Sequence, residues 1–344
     1  MPETPASPDP QPGPFKRVTI VGAGAIGLWI GWHLAQRGCQ VSALARGDTL
    51  HALRSQGMRL QSGSGPVRTA PVHASDEPQA LGVQDLVVLA VKAPALADVA
   101  LRMGPLLGPH TVVLTAMNGV PWWFFEGFGG PWAGSRLQSI DPHGRIAQAL
   151  PAGQVIGAVV HASCAAQAGL VHHHFGQRLV IGEPAGGTTT RLQALAALLM
   201  QAGFETEVAP CIQREIWFKL WGNMTVNPIS ALTGATTDLI MDDDLLRQAI
   251  SGMMLEAREI GQRIGAPISL DPEERHAVTR KLGRFKTSML QDVESGKAIE
   301  LDALLGVVHE LGRRTGVPTP LIDALLGMAR LQGRMKGLYP WTAP

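Results

Sequence analysis

The sequence predicts an α/β protein in which an N-terminal Rossmann-type domain, built on a parallel sheet, is followed by an all-helical C-terminal domain. The first half contains short runs of valine and leucine, and the first run leads directly into a glycine-rich turn. The second half repeats apolar residues every three or four positions, which is the periodicity of amphipathic helices. At 344 residues the chain is longer than a single hydrophobic core usually supports, so two domains are expected.

The overall composition argues against several kinds of partner. The 29 basic and 28 acidic residues nearly cancel, so the chain has no excess positive charge with which to bind nucleic acid. Apolar residues make up 45% of the chain, yet no apolar run approaches the ~20 residues that span a membrane. The three cysteines, at positions 39, 164 and 211, are scattered, so we expect a reduced, cytoplasmic protein.

A run of three histidines, His172 to His174, is the feature that most suggests a metal ion. It lies in a predicted strand, where adjacent side chains point to opposite faces, so at most two of the three could share a site. No cysteine or carboxylate stands nearby at a spacing typical of metal ligands. We therefore expect no bound metal.

The first predicted strand and the turn after it have the pattern of a dinucleotide-binding site. The strand RVTIV, residues 17–21, runs into GAGAIG, and an apolar-periodic helix and a second strand follow. In such a turn the first glycine permits the bend, the second lets a pyrophosphate approach the backbone, and the third lets helix pack on strand. The helix N-terminus adds backbone N–H donors. The predicted cofactor-binding residues here are Gly22, Gly24, Ala25, Ile26 and Gly27.

The end of the second strand indicates which dinucleotide binds. NAD-binding proteins usually carry an acidic residue ~20 positions after the glycines, where it binds the ribose 2′-hydroxyl. Here the region reads ALARG, residues 43–47, and contains no acid. Arg46 could instead bind a 2′-phosphate, which favours NADP(H). A solvated surface arginine is the alternative.

Two further predicted strands end in polar residues. QDLVVLAVKA, residues 84–93, and TVVLTAMNG, residues 111–119, have the continuous apolar runs of strands covered on both faces. Ligands of open α/β sheets bind beyond the carboxyl ends of the strands, so we expect Lys92 and Asn118 in or near the cofactor cleft. Loop residues in water are the alternative for both.

One helix of the second half carries polar residues within an otherwise apolar segment. In KLWGNMTVNPIS, residues 219–230, Lys219, Asn223 and Asn227 follow one another at four-residue intervals and therefore share one helix face. Pro228 cannot donate a backbone hydrogen bond and disfavours helical geometry before it, so the helix is expected to kink or break there. The three polar side chains either face water or surround a polar ligand.

Taken together, these motifs resemble the ketopantoate reductase (2-dehydropantoate 2-reductase) family. The resemblance extends from Arg17 to about Leu331 and includes VGAGAIG, VKA, MNG, KLWGNMTVNPISALTG and TSMLQDVESGKAIELDALLG, in that order. It implies an NADPH-dependent reductase with a Rossmann domain and a helical C-terminal domain. It also implies catalytic roles for Lys219 and Glu300, substrate binding by Asn118, Asn223, Asn227 and Ser288, and cofactor binding by Arg46, Lys92 and Asn118.

The chemistry of these residue types suits reduction of a small 2-keto acid. A lysine beside the carbonyl can polarise it and then donate a proton to the developing alkoxide. Asparagine side chains offer both donors and acceptors for a carboxylate and a hydroxyl. The alternatives are a solvated helix lysine for Lys219, a helix-start acid for Glu300 and a helix cap for Ser288.

These segments also suggest how the chain is divided. We expect a disordered, proline-rich tail over residues 1–14, an NADP-binding Rossmann domain over 15–208, a helical substrate and catalytic domain over 209–335, and a tail over 336–344. The first residues have neither the basic nor the apolar segment of a signal peptide. A homodimer is also considered, since helical C-terminal domains of related folds often dimerise.

One segment departs from the family's pattern and leaves the substrate open. Residues 122–132 include six aromatic residues, from Trp122 to Trp132, in a chain that is 5% aromatic. They could form a larger acyl pocket, a lid or a dimer contact, or simply pack in the core. The leading hypothesis is reduction of ketopantoate to (R)-pantoate, in pantothenate and CoA biosynthesis. The alternatives are a D-2-hydroxyacid dehydrogenase for a bulkier or aromatic 2-oxo acid, and a non-catalytic NADP(H)-binding sensor.

Overall fold

The computed structural model of the protein describes residues 14–341. The predicted proline-rich tail therefore lies outside the described residues, apart from Pro14. A β-rich first part ends with a strand at Val208, and a helical second part begins at Ile212.

The described part of the chain contains ten strands in one sheet. Their order across the sheet is β4-β3-β9-β8-β7-β6-β1-β2-β5, with β10 paired to β9. The strands predicted at residues 84–93 and 111–119 form as the shorter β6 and β7. The bounds are β1 Arg17–Val21, β2 Gln40–Leu44, β3 Met58–Ser62, β4 Arg68–Ala70, β5 His73–Ser75, β6 Leu86–Leu89, β7 Val112–Thr115, β8 Val155–Gln167, β9 Leu170–Gly182 and β10 Glu205–Val208.

The centre of the sheet is parallel, as the sequence predicts. β8, β7, β6, β1, β2 and β5 pair in parallel, and β1 lies between β2 and β6. From β1 the chain continues to β2 and β5 on one side, and then crosses to β6, β7 and β8 on the other side. Ligands of open α/β sheets bind at the point where the strand order reverses in this way. The sheet is not wholly parallel, because β8 pairs antiparallel with β9. Only Ala168 and Gly169, both with positive φ, join these two strands, and so short a turn can only connect antiparallel neighbours.

Thirteen α-helices accompany the sheet within the same residues. A π-helical turn, Asp302–Gly306, precedes α12. None of the described helices has both the length and the apolar character that crossing a membrane requires. The bounds are α1 Ala25–Ala35, α2 Gly47–Gln56, α3 Pro78–Leu81, α4 Leu96–Arg102, α5 Arg145–Ala149, α6 Thr190–Gln201, α7 Ile212–Thr233, α8 Thr237–Asp242, α9 Asp244–Ile264, α10 Pro272–Arg280, α11 Ser288–Glu294, α12 Val307–Thr315 and α13 Pro320–Met335.

The two faces of the sheet belong to two different hydrophobic cores. In β6, Leu86 and Val88 pack into the core that contains α1 and α6, whereas Val87 and Leu89 pack into the core that contains α7, α9 and α12. Successive strand residues point to opposite faces, so a strand buried on both sides must be apolar throughout. The second core continues into the helical part, which ties the two halves of the chain together.

Helix α7 passes through its internal proline. The expectation of a break at Pro228 is wrong, since α7 continues to Thr233. A proline inside an ordinary helix costs about 3 kcal/mol or more. Here Trp221, Met224 and Ile229, on both sides of the proline, are each at most 4% exposed. Burying one such side chain contributes ~1.5–3 kcal/mol, so tertiary packing outweighs the lost hydrogen bond.

The first part of the aromatic segment packs in the core between the sheet and α7. Trp122, Trp123, Phe124 and Phe125 are each at most 4% exposed. The Trp122 indole N–H donates to a backbone carbonyl at 3.0 Å, and the ring of Phe124 lies 6.4 Å, centroid to centroid, from that of Trp217 on α7. Core packing is therefore the role that the structure assigns to these four side chains.

Residues 336–341, predicted as part of a tail, pack against the helical part. The carbonyl of Leu338 accepts a hydrogen bond from the N–H of Ile299 at 3.2 Å. The hydroxyl of Tyr339 donates to the Asp302 carboxylate at 2.8 Å. This segment therefore lies beside the chain that carries Glu300.

Candidate active site

Each glycine of the turn between β1 and α1 has a separate steric role. Gly22 has a φ of +99°, and a Cβ there would lie 2.6 Å from backbone atoms of the loop after β6. A Cβ on Gly27 would lie 2.2 Å from the carbonyl oxygen of Gly22, so the helix packs directly on the turn. A Cβ on Gly24 would meet nothing within 4 Å, so the turn is open on that side. Ala25 and Ile26 form the first turn of α1, where backbone N–H groups have no partner within the helix. An open, N–H-lined turn of this kind fits a pyrophosphate.

Arg46 and Lys92 follow the strands on either side of β1. Arg46 comes after β2, directly before α2, and its side chain is exposed. Lys92 comes after β6, and its ammonium group forms an ion pair with the buried carboxylate of Asp292 on α11. Both cations thus lie at the carboxyl edge of the sheet. The sequence did not predict that Lys92 would pair with Asp292.

The helical part contacts the loop after β6 at a second residue, Ala93, in addition to Lys92. The N–H of Ala93 donates to a carboxylate oxygen of Glu300 at 3.0 Å. Glu300 is 8% exposed and immediately precedes the helical residue Leu301. Burial raises the pKa of Glu300 above its ordinary value, although the Ala93 hydrogen bond and the charge of Lys92 act in the opposite direction.

Lys219 lies where α7 packs against the residues that follow β7 and against the middle of β8. Its ammonium group donates to the side-chain oxygen of Asn118 at 3.0 Å and to the carbonyl of Val160 at 2.7 Å. Burial lowers the pKa of Lys219 to about 8, the charge of Glu300 opposes this shift, and the charge of Arg275 adds to it. A lysine with such a pKa can hold a proton near neutral pH and still release it, as a general acid must.

Asn118 and Asn223 line one small cleft with Lys219. Asn118 follows β7, and Asn223 lies one turn after Lys219 on α7. Asn227 continues the same helix face by one more turn and is 8% exposed, but it lies outside the lining of the cleft. Within the described residues the structure therefore gathers two of the three predicted asparagines directly around the lysine.

Ser288, which was predicted to bind the substrate, does not line the cleft around Lys219. It is the first residue of α11, and its side chain is exposed. The helix cap is its neighbour Thr287, whose hydroxyl accepts a hydrogen bond from the N–H of Leu290 at 3.3 Å. Ser288 belongs neither to the lining of the cleft nor to that of the adjoining cavity.

A cavity of about 450 Å³ adjoins the cleft and shares part of its wall. Asn118 and Glu300 are among its polar residues, and Trp123, Leu338 and Tyr339 are among its apolar and aromatic ones. A concave, largely apolar pocket with a few polar groups is the usual form of a small-molecule site. The residues common to cavity and cleft are Met117, Asn118, Gly119 and Ile216.

Three ionisable residues near the site were not predicted from the sequence. They are Asp292, Arg275 on α10, and His161 on β8, next to the carbonyl that Lys219 binds. The pKa of His161 is lowered to about 4, first by burial and then by the charge of Lys219. His161 could have been found, because it directly follows VIGAVV, residues 155–160, an apolar run typical of a buried strand. Asp292 and Arg275 reach the site only through packing between helices, which no local spacing reveals.

The similarity of the whole chain to known proteins decides the family. Residues 18–127 match the family described as Ketopantoate reductase PanE/ApbA, and residues 211–332 match Ketopantoate reductase PanE/ApbA C terminal. The chain belongs to the ketopantoate reductase family. Proteins of this family are pyridine-nucleotide-dependent oxidoreductases, which agrees with the open glycine turn.

Relatives and solved structures of the ketopantoate reductase family match the chain over nearly its whole length. A 2-dehydropantoate 2-reductase of Mesorhizobium japonicum is 44% identical over 325 residues, which are 94% of this chain and 99% of the relative. A crystal structure from Ralstonia solanacearum, assigned as a ketopantoate reductase, has a TM-score of 0.90 and 53% identity, and the match covers 94% of this chain and 100% of that one. The ternary structure of D-mandelate dehydrogenase with NADH and anilino(oxo)acetate shares the fold, with a TM-score of 0.79 at 19% identity, over 93% of this chain and 99% of that one.

These similarities confirm the predicted fold class, a Rossmann-like domain followed by a helical one.

The three consecutive histidines, residues 172–174, lie in β9. Within residues 14–341, no three histidine, cysteine or carboxylate side chains are grouped so as to hold a metal ion.

Replacing Arg46 tests which dinucleotide this member of the ketopantoate reductase family prefers. Arg46→Ala should weaken NADPH binding by about 10–100-fold, because a hydrogen bond to a charged group contributes about 1.5–3 kcal/mol. NADH binding should change little, since NADH has no 2′-phosphate. Fluorescence titration of the purified protein with each dinucleotide measures both affinities.

Arg37→Ala is the matched control, because Arg37 is an exposed arginine in the turn after α1. It should leave both affinities unchanged. If Arg46→Ala lowered the affinities for NADPH and for NADH by the same factor, Arg46 would not bind the 2′-phosphate.

Proposed function

We propose that the protein reduces ketopantoate (2-dehydropantoate) to (R)-pantoate with NADPH, a reaction of pantothenate and CoA biosynthesis. The observation that carries this proposal is the ammonium group of Lys219, which burial holds at a pKa of about 8 and which donates a hydrogen bond to Asn118. Membership of the ketopantoate reductase family and the 44% identity to a 2-dehydropantoate 2-reductase support it.

In the proposed reaction the cofactor, when bound, supplies the hydride that adds to C2 of the keto acid. Lys219 donates a hydrogen bond from Nζ to the ketone oxygen, which stabilises the negative charge that develops there. It then transfers its proton to that oxygen, and the product is the 2-hydroxy acid. Asn118 accepts a hydrogen bond from the same ammonium group and so orients it.

Glu300 has a supporting role in this proposal. Its carboxylate is buried and binds the N–H of Ala93 in the loop after β6. Its charge raises the pKa of Lys219 and so favours the protonated lysine before the proton is transferred to the substrate oxygen. Asn223, which lines the cleft, and Asn227 and Ser288, which lie outside its lining in this structure, are proposed to bind the substrate through their amide and hydroxyl groups.

NADP(H) is the proposed cofactor, bound by the glycine turn from Gly22 to Gly27 and by Arg46, Lys92 and Asn118. Two features support this choice over NAD. No acidic residue lies between residues 43 and 47, where NAD-binding proteins bind the 2′-hydroxyl. Arg46 is exposed at that position and can approach a 2′-phosphate.

A bulkier 2-oxo acid is the second candidate substrate. The cavity of about 450 Å³ has an aromatic wall at Trp123 and adjoins the cleft of Lys219. This space could take a larger acyl group than that of ketopantoate without a change in the chemistry.

We also propose that the protein forms a homodimer through α13. Leu321, Met328, Leu331 and Met335 are between 41% and 72% exposed and recur at intervals of seven, three and four residues. This is the spacing of a seam between two packed helices. The same face of a second copy would cover it.

A substrate panel tests the proposed reaction directly. Purified protein should oxidise NADPH with ketopantoate at a higher kcat/KM than with pyruvate, 2-oxoisovalerate or phenylglyoxylate, followed by absorbance at the nicotinamide band. Preference for phenylglyoxylate would favour the second candidate. Tight NADPH binding without oxidation by any 2-keto acid would contradict the proposal and leave the sensor hypothesis.

The pH dependence of the reaction tests the role of Lys219. Below its pKa of about 8 the lysine carries the proton that it must donate, so kcat/KM for reduction should fall as the pH rises above that value. Lys219→Ala should lower kcat by about 10²–10⁴-fold, the usual contribution of a general acid, and its residual activity should lack this decline. NADPH affinity should stay near that of the unchanged protein.

Lys286→Ala is the control for this experiment, because Lys286 is half exposed and pairs with Glu294 at 2.6 Å. It should keep both the turnover and the pH profile. A decline above pH 8 that persists in Lys219→Ala would show that another group titrates.

Light scattering tests the homodimer. The protein at micromolar concentration should have twice the chain mass of 36.5 kDa, and Met328→Asp should reduce it to the mass of one chain. Asp introduces a charge that a buried helix seam does not tolerate. A single-chain mass for the unchanged protein would overturn the proposal.

A further inference from the structure

Arg275 lies against the same helix that carries Lys219. Its guanidinium carbon is 5.6 Å from the centre of the Phe218 ring on α7. A Cβ at position 222 would lie 2.6 Å from Nε of Arg275, so the glycine at that position leaves room for the guanidinium group. The arginine comes from α10, and its side chain is half buried.

Within the described residues, the guanidinium group of Arg275 has no anionic partner. Its Nε is enclosed and makes no hydrogen bond. Other arginines of the chain are paired with carboxylates, for example Arg178 with Glu207 at 2.7 Å and Arg191 with Glu183 at 2.5 Å. Withdrawing a cation from water without a counter-charge is costly, so an unpaired guanidinium group of this kind is unusual without a ligand.

Arg275 lies outside the lining of the cleft, and the groups that interact with it there are basic. Its charge contributes to the lowered pKa values of both Lys219 and His161, which shows that the three groups are close enough to interact. Phe218 and Gly222 are each one residue before Lys219 and Asn223, so the two pairs occupy adjacent edges of one helix. The guanidinium group of Arg275 therefore packs against α7 within range of the charge of Lys219, which lies at the proposed site of the ketone.

We propose that Arg275 binds the carboxylate of the 2-keto acid substrate. The inference rests on the proposed function and specifies it further. In a 2-keto acid the carboxylate is bonded directly to the carbonyl carbon, which matches two neighbouring cations with different tasks. The planar guanidinium group donates two parallel hydrogen bonds to the carboxylate, and Lys219 donates to the ketone oxygen. Arg275 then sets the specificity for an acid over a neutral ketone.

Substrate and product carry the same carboxylate, so the test is a binding experiment that needs no turnover. The protein saturated with NADP⁺ is titrated with pantoate and with its neutral lactone by calorimetry. Arg275→Gln should weaken pantoate binding by about 10–100-fold, the value of a hydrogen bond to a charged group, and leave lactone binding unchanged. In steady state, KM for ketopantoate should rise far more than kcat falls.

Gly222→Ala provides a second variant that keeps the arginine. Alanine favours the helix more than glycine does, so α7 should not be weakened. Its Cβ would displace the guanidinium group, whose Nε lies 2.6 Å from the required position. Pantoate affinity should therefore fall in this variant too, again without an effect on the lactone. Arg284→Gln is the control, because Arg284 is an exposed arginine just beyond α10.

The outcomes separate this inference from the proposed function. Unchanged pantoate affinity in Arg275→Gln, or an equal loss for the lactone, would overturn the role of Arg275 while the reductase assignment stands. An unchanged protein that neither binds pantoate nor reduces any 2-keto acid would overturn both.

Discussion

The protonated amine of Lys219 is the group on which the rest of the site depends. A buried cation is stable only when oxygen atoms surround it, and here they come from Asn118 at the end of β7 and Val160 in β8. The two strands are parallel neighbours, so these oxygens are held a fixed distance apart. Helix α7 therefore packs against the sheet at the point where Lys219 reaches both oxygens.

Aromatic packing around α7 holds the helix in place against the sheet. The aromatic side chains of residues 122–125 fill the space between sheet and helix, and Trp217 contacts them from the helix side. The helix is buried along most of its length, which is why it can contain Pro228 without ending. A rigid helix delivers the amine to a defined point, and a site held by such elements is more precise than one held by loops.

Much of this arrangement could be predicted from the sequence, because its signals are local. The glycine turn and the four-residue spacing of Lys219 and Asn223 each specify a backbone geometry on their own. The antiparallel pairing of β8 and β9 and the course of α7 past Pro228 depend on tertiary contacts, and local rules missed the first and misjudged the second. Arg275 lies outside every quoted motif, and Asp292, although within TSMLQDVESG, reaches Lys92 only through the packing of α11 on the loop after β6.

The loop after β6 is held from the helical side at two consecutive residues. Asp292 binds Lys92, and Glu300 binds the N–H of Ala93, so the cofactor side and the substrate side of the cleft share one short segment of backbone. A ligand that shifts this segment also shifts Glu300. Such coupling is reciprocal: the factor by which one ligand changes the affinity of the second is the factor by which the second changes that of the first. Any coupling between the affinities for dinucleotide and keto acid would therefore pass through two side-chain contacts, the one at Lys92 and the one at Ala93.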